Sequence, residues 1–326
     1  FAIDSSSAVR SLLNGIDVFI VRALMLGSEG SPFKNVRFEM RRGITDPTLA
    51  SKFERILRDL IEIQIVVDNL PDLSGGLVLI DGNLYGRYTH LIKQIEIRGW
   101  EYLPLLLFEA MQKMFEACRE GKITVVGVSK FSKTRVLSRA LLWEMGYPPD
   151  AVDIPDVEML YRWMQGETGF TTPLLLGEYA LGEETRTMEE EPEKYLKRYF
   201  NRLPRDRLDW GAEVIGKVPR APAIAMFHMI PERGYQPLRI DVPVSCLGMR
   251  KTMADVPNFL FERPSLVGDL LGNLLADWGG RDVYNALLYV VDREVKLKRD
   301  VVDRVYRSIL GRELDMPIEY DRSSRR

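Results

Sequence analysis

Two aspartates in this chain each close an apolar stretch, where a strand would deliver them. In FAIDSSS at 1–7, Asp4 follows Ala2 and Ile3; in LVLIDGNLY at 77–85, Asp81 follows four aliphatic residues and precedes Gly82 and Asn83. If the two strands are neighbours that end together, both carboxylates arrive at one sheet edge. Asp-Gly is also a strong hairpin signal. A hairpin must return as a strand, however, and GRYTHLIKQIEIRG at 86–99 lacks clean alternation. On spacing alone, turn and site remain equal readings of Asp81.

Two further acids lie in helix-like surroundings. Glu62 sits among aliphatics in LIEIQIVV at 60–67, where burial is costly without a compensating charge such as a metal ion. An exposed helical stripe is the alternative. Asp292 lies in YVVDREVKLKR at 289–299, with Lys296 at i+4 as a surface partner. Converging carboxylates can hold two Mg²⁺ or Mn²⁺ ions roughly 3.5–4 Å apart, one activating water and one stabilising the leaving oxygen of a phosphodiester. Such hard cations want oxygen ligands. SKFSKTR at 129–135 follows the apolar run ITVVGV. It places Lys130, Lys133 and Arg135 at a strand-to-helix junction, where free amides also favour phosphate, or else forms a solvated basic turn. Arg41, Arg42 and KLKR at 296–299 read as surface charge.

The elements that must position these groups are those of an ordinary globular chain. The 326 residues suffice for one large domain or two smaller ones, with 46% hydrophobic and 28% charged residues. A net charge of −2 gives no global field for nucleic acid, so any basic surface is local. Two histidines, His90 and His228, and two cysteines, Cys118 and Cys246, leave little room for histidine-centred or zinc chemistry and none for a disulfide framework. Runs such as LPLLLF at 103–108 are too short to span a bilayer. A reducing cytoplasm, with no signal peptide and no membrane, is the expectation, and the opening at Phe1 implies residues upstream.

Periodicity predicts helices over about 48–68, 101–120 and 132–146, the last with an N-cap serine, and buried strands at 77–80 and 123–128. The Pro-, Gly- and charge-rich 147–220 region reads as an insertion or excursion within a single domain over 1–326, with 183–200 solvated. Strands follow at 223–230 and 238–246, the second placed at an edge by its proline. One long amphipathic helix over about 282–311 carries Ala286, Leu287, Val290, Val291, Leu297, Val301, Val305 and Ile309 inward. Together these predict an α/β fold with a mixed sheet flanked by helices.

In order and spacing, AIDSS, RDLIEIQ, VLIDGNL, VVGVSKFSKTRVL, IPDVEMLYRWMQGETGFTTPLLLG, RIDVP and YNALLYVVDREVKL resemble the blocks of the NurA nuclease family over nearly the whole chain. That resemblance implies a ribonuclease-H-like mixed sheet. It also implies Mn²⁺-dependent 5′→3′ DNA exonuclease and single-strand endonuclease activity, with Mg²⁺ as an alternative ion. A homodimer acting with HerA, a hexameric ATPase, in resection of double-strand breaks is implied as well. Carried over by position, the metal ligands are Asp4, Glu62, Asp81 and Asp292, with Glu54 and Glu39 competing for the Glu62 role. Lys130 meets the scissile phosphate or substrate strand, with Tyr284 near the DNA, and Lys133 and Arg135 of the same basic turn are the further candidate DNA contacts. Ser5 and Asn83 depart from the family's glycine and serine, and Asp292 stands where histidine is frequent. The rival is a binding or scaffold protein that keeps such a fold without catalysis.

Overall fold

The computed structural model describes residues 1–12, 15–30, 32–42, 44, 46–92, 94–315 and 318–319. Strands β1 (Ala2–Ser11), β2 (Ile16–Leu26) and β3 (Phe33–Arg42) form an antiparallel meander. Helix α1 (Pro47–Asp68) starts on Asp46, whose carboxylate accepts the Thr48 N–H at 2.8 Å, with Pro47 in the first turn. The chain returns as β4 (Gly76–Asp81), parallel to β1. Helix α2 (Leu103–Arg119) then leads to β5 (Ile123–Ser129), parallel to β4. After β4 the chain does not reverse as a strand but enters a 3₁₀ segment, Tyr85–Ile92. The hairpin reading of Asp-Gly is thereby removed.

Next come α3 (Val136–Glu144), α4 (Asp156–Trp163), β6 (Gly169–Phe170), β7 (Leu174–Leu176), α5 (Glu184–Glu190), α6 (Pro192–Tyr199) and α7 (Leu208–Gly216). Strands β8 (Ile224–Ile230), β9 (Leu238–Pro243) and β10 (Phe259–Phe261) complete one mixed sheet. Its order is β10-β7-β8-β9-β5-β4-β1-β2-β3, with β6 paired to β8. Helices α8 (Gly268–Ala276), α9 (Ala286–Val295) and α10 (Arg307–Glu313) close the described chain.

Strand alternation divides the core between the two faces of the sheet. Ile3, Val78, Ile80 and Val125 pack with α1 and α2. Ala2, Leu79, Val126 and Val128 pack with Leu270, Leu271 and Leu274 of α8 and Leu288, Val291 and Val295 of α9. The mixed sheet flanked by helices is therefore the fold observed, with helices on both faces.

Several sequence expectations are corrected. β9 is not an edge strand: it lies buried between β8 and β5, and its proline is the last residue, where a missing donor costs least. Residues 183–200 are not wholly solvated, because α5 and α6 bury Thr185, Met188, Tyr195 and Leu196. The single C-terminal helix is broken. α9 ends at Val295, an extended Lys296 follows, and a π-helical segment, Val301–Tyr306, precedes α10. The buried stripe of α9 is Leu288, Val291 and Val295, while Ala286, Val290 and Val305 face solvent. β1 is also longer than a short apolar entry, running to Ser11.

The N-terminus of α3 is not capped by a serine. Asp156, wholly buried at the start of α4, accepts the N–H groups of Val136 (2.9 Å), Leu137 (3.2 Å) and Ser138 (2.8 Å). A carboxylate there satisfies three otherwise orphaned donors and complements the helix dipole. Asp156→Ala should lower the stability of the fold by about 2–3 kcal/mol, read as a fall in the urea midpoint. An unchanged midpoint would show that water replaces the cap without cost.

Candidate active site

The pairing of β1 with β4 runs through Ala2↔Leu79 and ends at Ile3↔Ile80. Asp4 and Asp81 are the next residue on each strand, so they face each other where the strands part. Beyond this point β1 continues with β2 alone, and β4 stops. A gap of this kind in an α/β sheet, at the carboxyl ends of parallel strands whose connections diverge, is the usual place for a site. By alternation, Asp4 and Asp81 lie on the α8/α9 face, two residues after Ala2 and Leu79.

Asp81 is followed by Gly82 at φ +105°, whose N–H donates to the Val128 carbonyl at 2.9 Å. That left-handed turn requires glycine. Gly127 on β5 must also lack a side chain, since a Cβ there would stand 2.7 Å from the Gly82 carbonyl. Thus β5 presses directly against the turn that aims Asp81.

Asp292 on α9 is brought to the same face. The Arg22 guanidinium on β2 donates to the carbonyls of Val295 (2.9 Å), Glu294 (2.6 Å) and Lys296 (3.0 Å), and Ser6 Oγ accepts the Leu297 N–H at 3.1 Å. These bonds cap the end of α9 and dock it on β1 and β2, one turn beyond Asp292. The Asp292 carboxylate accepts from Lys296 Nζ at 2.9 Å, the i+4 pair expected from spacing.

Glu62 approaches from the opposite face, on α1. It is buried rather than on an exposed stripe, accepting from Ser5 Oγ and from Arg87 at 2.6 Å. Arg87, itself buried, also pairs with Asp59 at 3.2 Å, which in turn meets His90. The charge that makes Glu62 tolerable inside the protein is therefore Arg87. Of the competitors, Glu54 bonds Ser7 Oγ farther along β1, and Glu39 pairs with Arg37 and Arg41 on the edge strand β3. Glu62 is the acid whose charge is felt at Asp4.

The electrostatics reveal the convergence. Burial raises the Asp4 carboxyl to about 7, helped by the charges of Asp81 and Glu62, against the Ser5 N–H and Arg58. Burial also raises Asp81, with Lys130 opposing it and Asp292 adding to it. Tyr284, just ahead of α9, is held well above the ordinary phenol by burial and then by Asp81, Asp4 and Asp292. Its hydroxyl is buried without a hydrogen-bond partner among the described residues, and Lys130 Nζ lies 3.7 Å from its ring centroid.

The rest of the basic cluster turns elsewhere. Arg135 pairs with Asp153 at 2.8 Å, and Lys133 is exposed. The helix amides at this junction are engaged by Asp156 rather than free for phosphate. Arg58, Arg87 and Arg22 are participants that the sequence reading missed, and Ser5, seen there only as a departure from the family pattern, bonds Glu62. Arg58 could have been found four residues before Glu62; it donates to the Ser5 carbonyl at 2.7 Å and stands 3.9 Å from Asp4.

A hard divalent cation fits this donor set. Asp4 and Asp81 end adjoining strands on one face in a partly buried space, where burial raises the proton affinity of both and neighbouring acids add to it. Among the described residues no three His, Cys, Asp or Glu side chains are already gathered around one point. Glu62 and Asp292 are held by their cationic partners, so ligation would draw the acids inward.

A family model, the NurA domain, matches residues 1–297. The chain belongs to the NurA family. Its structure is similar to the NurA nuclease from Sulfolobus solfataricus, at 15% identity, TM-score 0.58, covering 96% of this chain and 83% of that one. It is likewise similar to NurA with manganese, at 12% identity, TM-score 0.56, covering 96% and 88%. A third, NurA bound to dAMP and manganese, matches at 10% identity and TM-score 0.57, covering 95% and 87%. At these identities the likeness establishes the fold. No curated protein matches the chain.

Without metal, folded Asp4 keeps its proton up to about pH 7, whereas the unfolded chain releases it near 3.8. The folded state binds more protons between these values, so the stability present at low pH is lost as pH rises through about 7. Asp4→Asn removes that loss. In a chelator, its melting temperature should exceed that of the unaltered protein at pH 8, and the gap should close toward pH 4. A gap independent of pH would contradict the Asp4 environment described here.

Proposed function

We propose that this protein is a metal-dependent DNA nuclease whose site is the gap between β1 and β4. Membership of the NurA family supports a nuclease, and the observation that carries the assignment to this gap is that Asp4 and Asp81 follow the last β1–β4 pair on one face of the sheet, where α9 with Asp292 is docked. Asp4 and Asp81 would hold the ions, joined by Asp292 and Glu62. Mn²⁺ is the preferred candidate, because two of the similar NurA structures contain manganese, and Mg²⁺ suits the same oxygen ligands. When bound, two such ions would supply an activated water and charge stabilisation at the leaving oxygen.

The chain's own groups orient the substrate. Lys130 stands beside Asp81 with its ammonium on the Tyr284 ring, where it would neutralise a phosphate brought against the acids. The Tyr284 hydroxyl is buried without a hydrogen-bond partner among the described residues and would donate to a phosphate oxygen. Lys133 is exposed just beyond Lys130 and would follow the backbone of the strand, with Arg135 reaching it only by leaving Asp153. A 5′→3′ exonuclease with single-strand endonuclease action, working as a homodimer with a HerA-type ATPase in end resection, is the finer reading we adopt from the family resemblance.

Asp81→Ala should lower Mn²⁺-dependent hydrolysis of single-stranded DNA by about 10³-fold or more, and Lys130→Ala by about 10²-fold. Both should leave the melting curve of the metal-free protein cooperative. Retention of full activity in Asp81→Ala would sink the site assignment. DNA binding without any metal-dependent cleavage by the unaltered protein would instead favour an inert scaffold.

A further inference from the structure

Phe131 follows Lys130 directly and is 72% exposed. Its φ is +51°, a left-handed conformation that costs a bulky residue energy and that glycine or asparagine would adopt more cheaply. Three described non-glycine residues have positive φ, and Phe131 is the one aromatic among them. It stands outside every apolar cluster of the described residues. The chain therefore accepts both a strained backbone and an exposed ring with no packing in return.

The loop is not free to relax this strain. On one side the Val128 carbonyl accepts from Gly82. On the other, Ser132 Oγ and Thr134 Oγ1 are 2.9 Å apart, and Thr134 Oγ1 accepts from Arg239 at 3.0 Å. The Thr134 carbonyl accepts from the Asp156 N–H at 2.8 Å. Arg239 is buried with Asp241 at 2.8 Å, and Asp241 in turn accepts the Tyr85 N–H at 2.9 Å. This network ties the loop after β5 to the loop after β4, so Phe131 projects from a fixed base beside the acids. Strain held in place by its surroundings is characteristic of ligand contacts.

Resting on the nuclease reading above, we propose that Phe131 is a stacking platform for a base of the nucleic-acid strand whose phosphate meets Lys130. A single strand offers a negative backbone and a π-face at each nucleotide, and adjacent Lys130 and Phe131 present the two complementary groups in sequence. Stacking on an aromatic side chain is tolerant of base identity, so the contact supplies affinity and register without base preference.

The test uses a single-stranded oligonucleotide carrying 2-aminopurine, bound to protein made inactive by Asp81→Asn. Adding Phe131→Ala should weaken binding roughly 5- to 100-fold, abolish quenching of the 2-aminopurine, and leave the salt dependence unchanged. Lys130→Ala should do the reverse, reducing the salt slope by about one while keeping the quenching. Phe131→Trp should restore affinity. Phe131→Gly relieves the backbone and should melt at or above the temperature of the parent while binding no better than Phe131→Ala, which separates binding from folding. Binding and quenching within twofold of the parent in Phe131→Ala would overturn the inference. So would a loss confined to self-association in sedimentation, which would make Phe131 a protein contact. Metal-dependent cleavage by the unaltered protein, assayed in parallel, tests the nuclease reading separately.

Discussion

Like charges confined in a partly buried space govern this molecule. Asp4 and Asp81 are brought to one sheet edge because each is the first residue past the end of the parallel β1–β4 pairing. Repulsion between carboxylates grows as water is excluded, so something must offset it. Arg87 offsets Glu62, Lys296 offsets Asp292, and Lys130 partly offsets Asp81. Asp4 has Arg58 at 3.9 Å, and burial together with the charges of Asp81 and Glu62 raises its carboxyl to about 7. A divalent cation relieves that arrangement in a way no side chain here does.

The scaffold keeps the acids from separating. Arg22 and Ser6 fix the end of α9 to β1 and β2, and the Gly82–Gly127 contact fixes the end of β4 to β5. Arg239 and Asp241 join the loops after β4 and β5 from beneath. A buried pair of this kind contributes little net stability compared with apolar packing; its consequence here is geometric. Relaxation that would let the carboxylates drift into solvent is blocked from three directions, and the charge frustration is retained for a ligand.

Much of this was legible in the sequence because buried strands have a simple signature. LVLI and ITVVGV announced β4 and β5, and an acid or lysine closing such a run is visible without a structure. The period of α1 was equally clear. Less legible were features set by long-range contacts. The burial of β9 depends on which strands flank it, and the break after Val295 depends on Arg22, more than 270 residues away. The charge partner of Glu62 could not be read either, since Arg87 lies in a segment with no periodicity of its own. Asp156 as the cap of α3 was invisible for the same reason: a serine nearby satisfied the local rule, while a buried carboxylate from the next helix won.

The most direct test of the central claim is an anomalous difference map from crystals soaked in Mn²⁺. The account predicts density between the carboxylates of Asp4 and Asp81, in the gap where β1 and β4 part, with the Asp292 or Glu62 side chain turned from its cationic partner toward the ion. Manganese density confined to other acidic surface sites, with Asp4 and Asp81 unliganded at saturating metal, would contradict it.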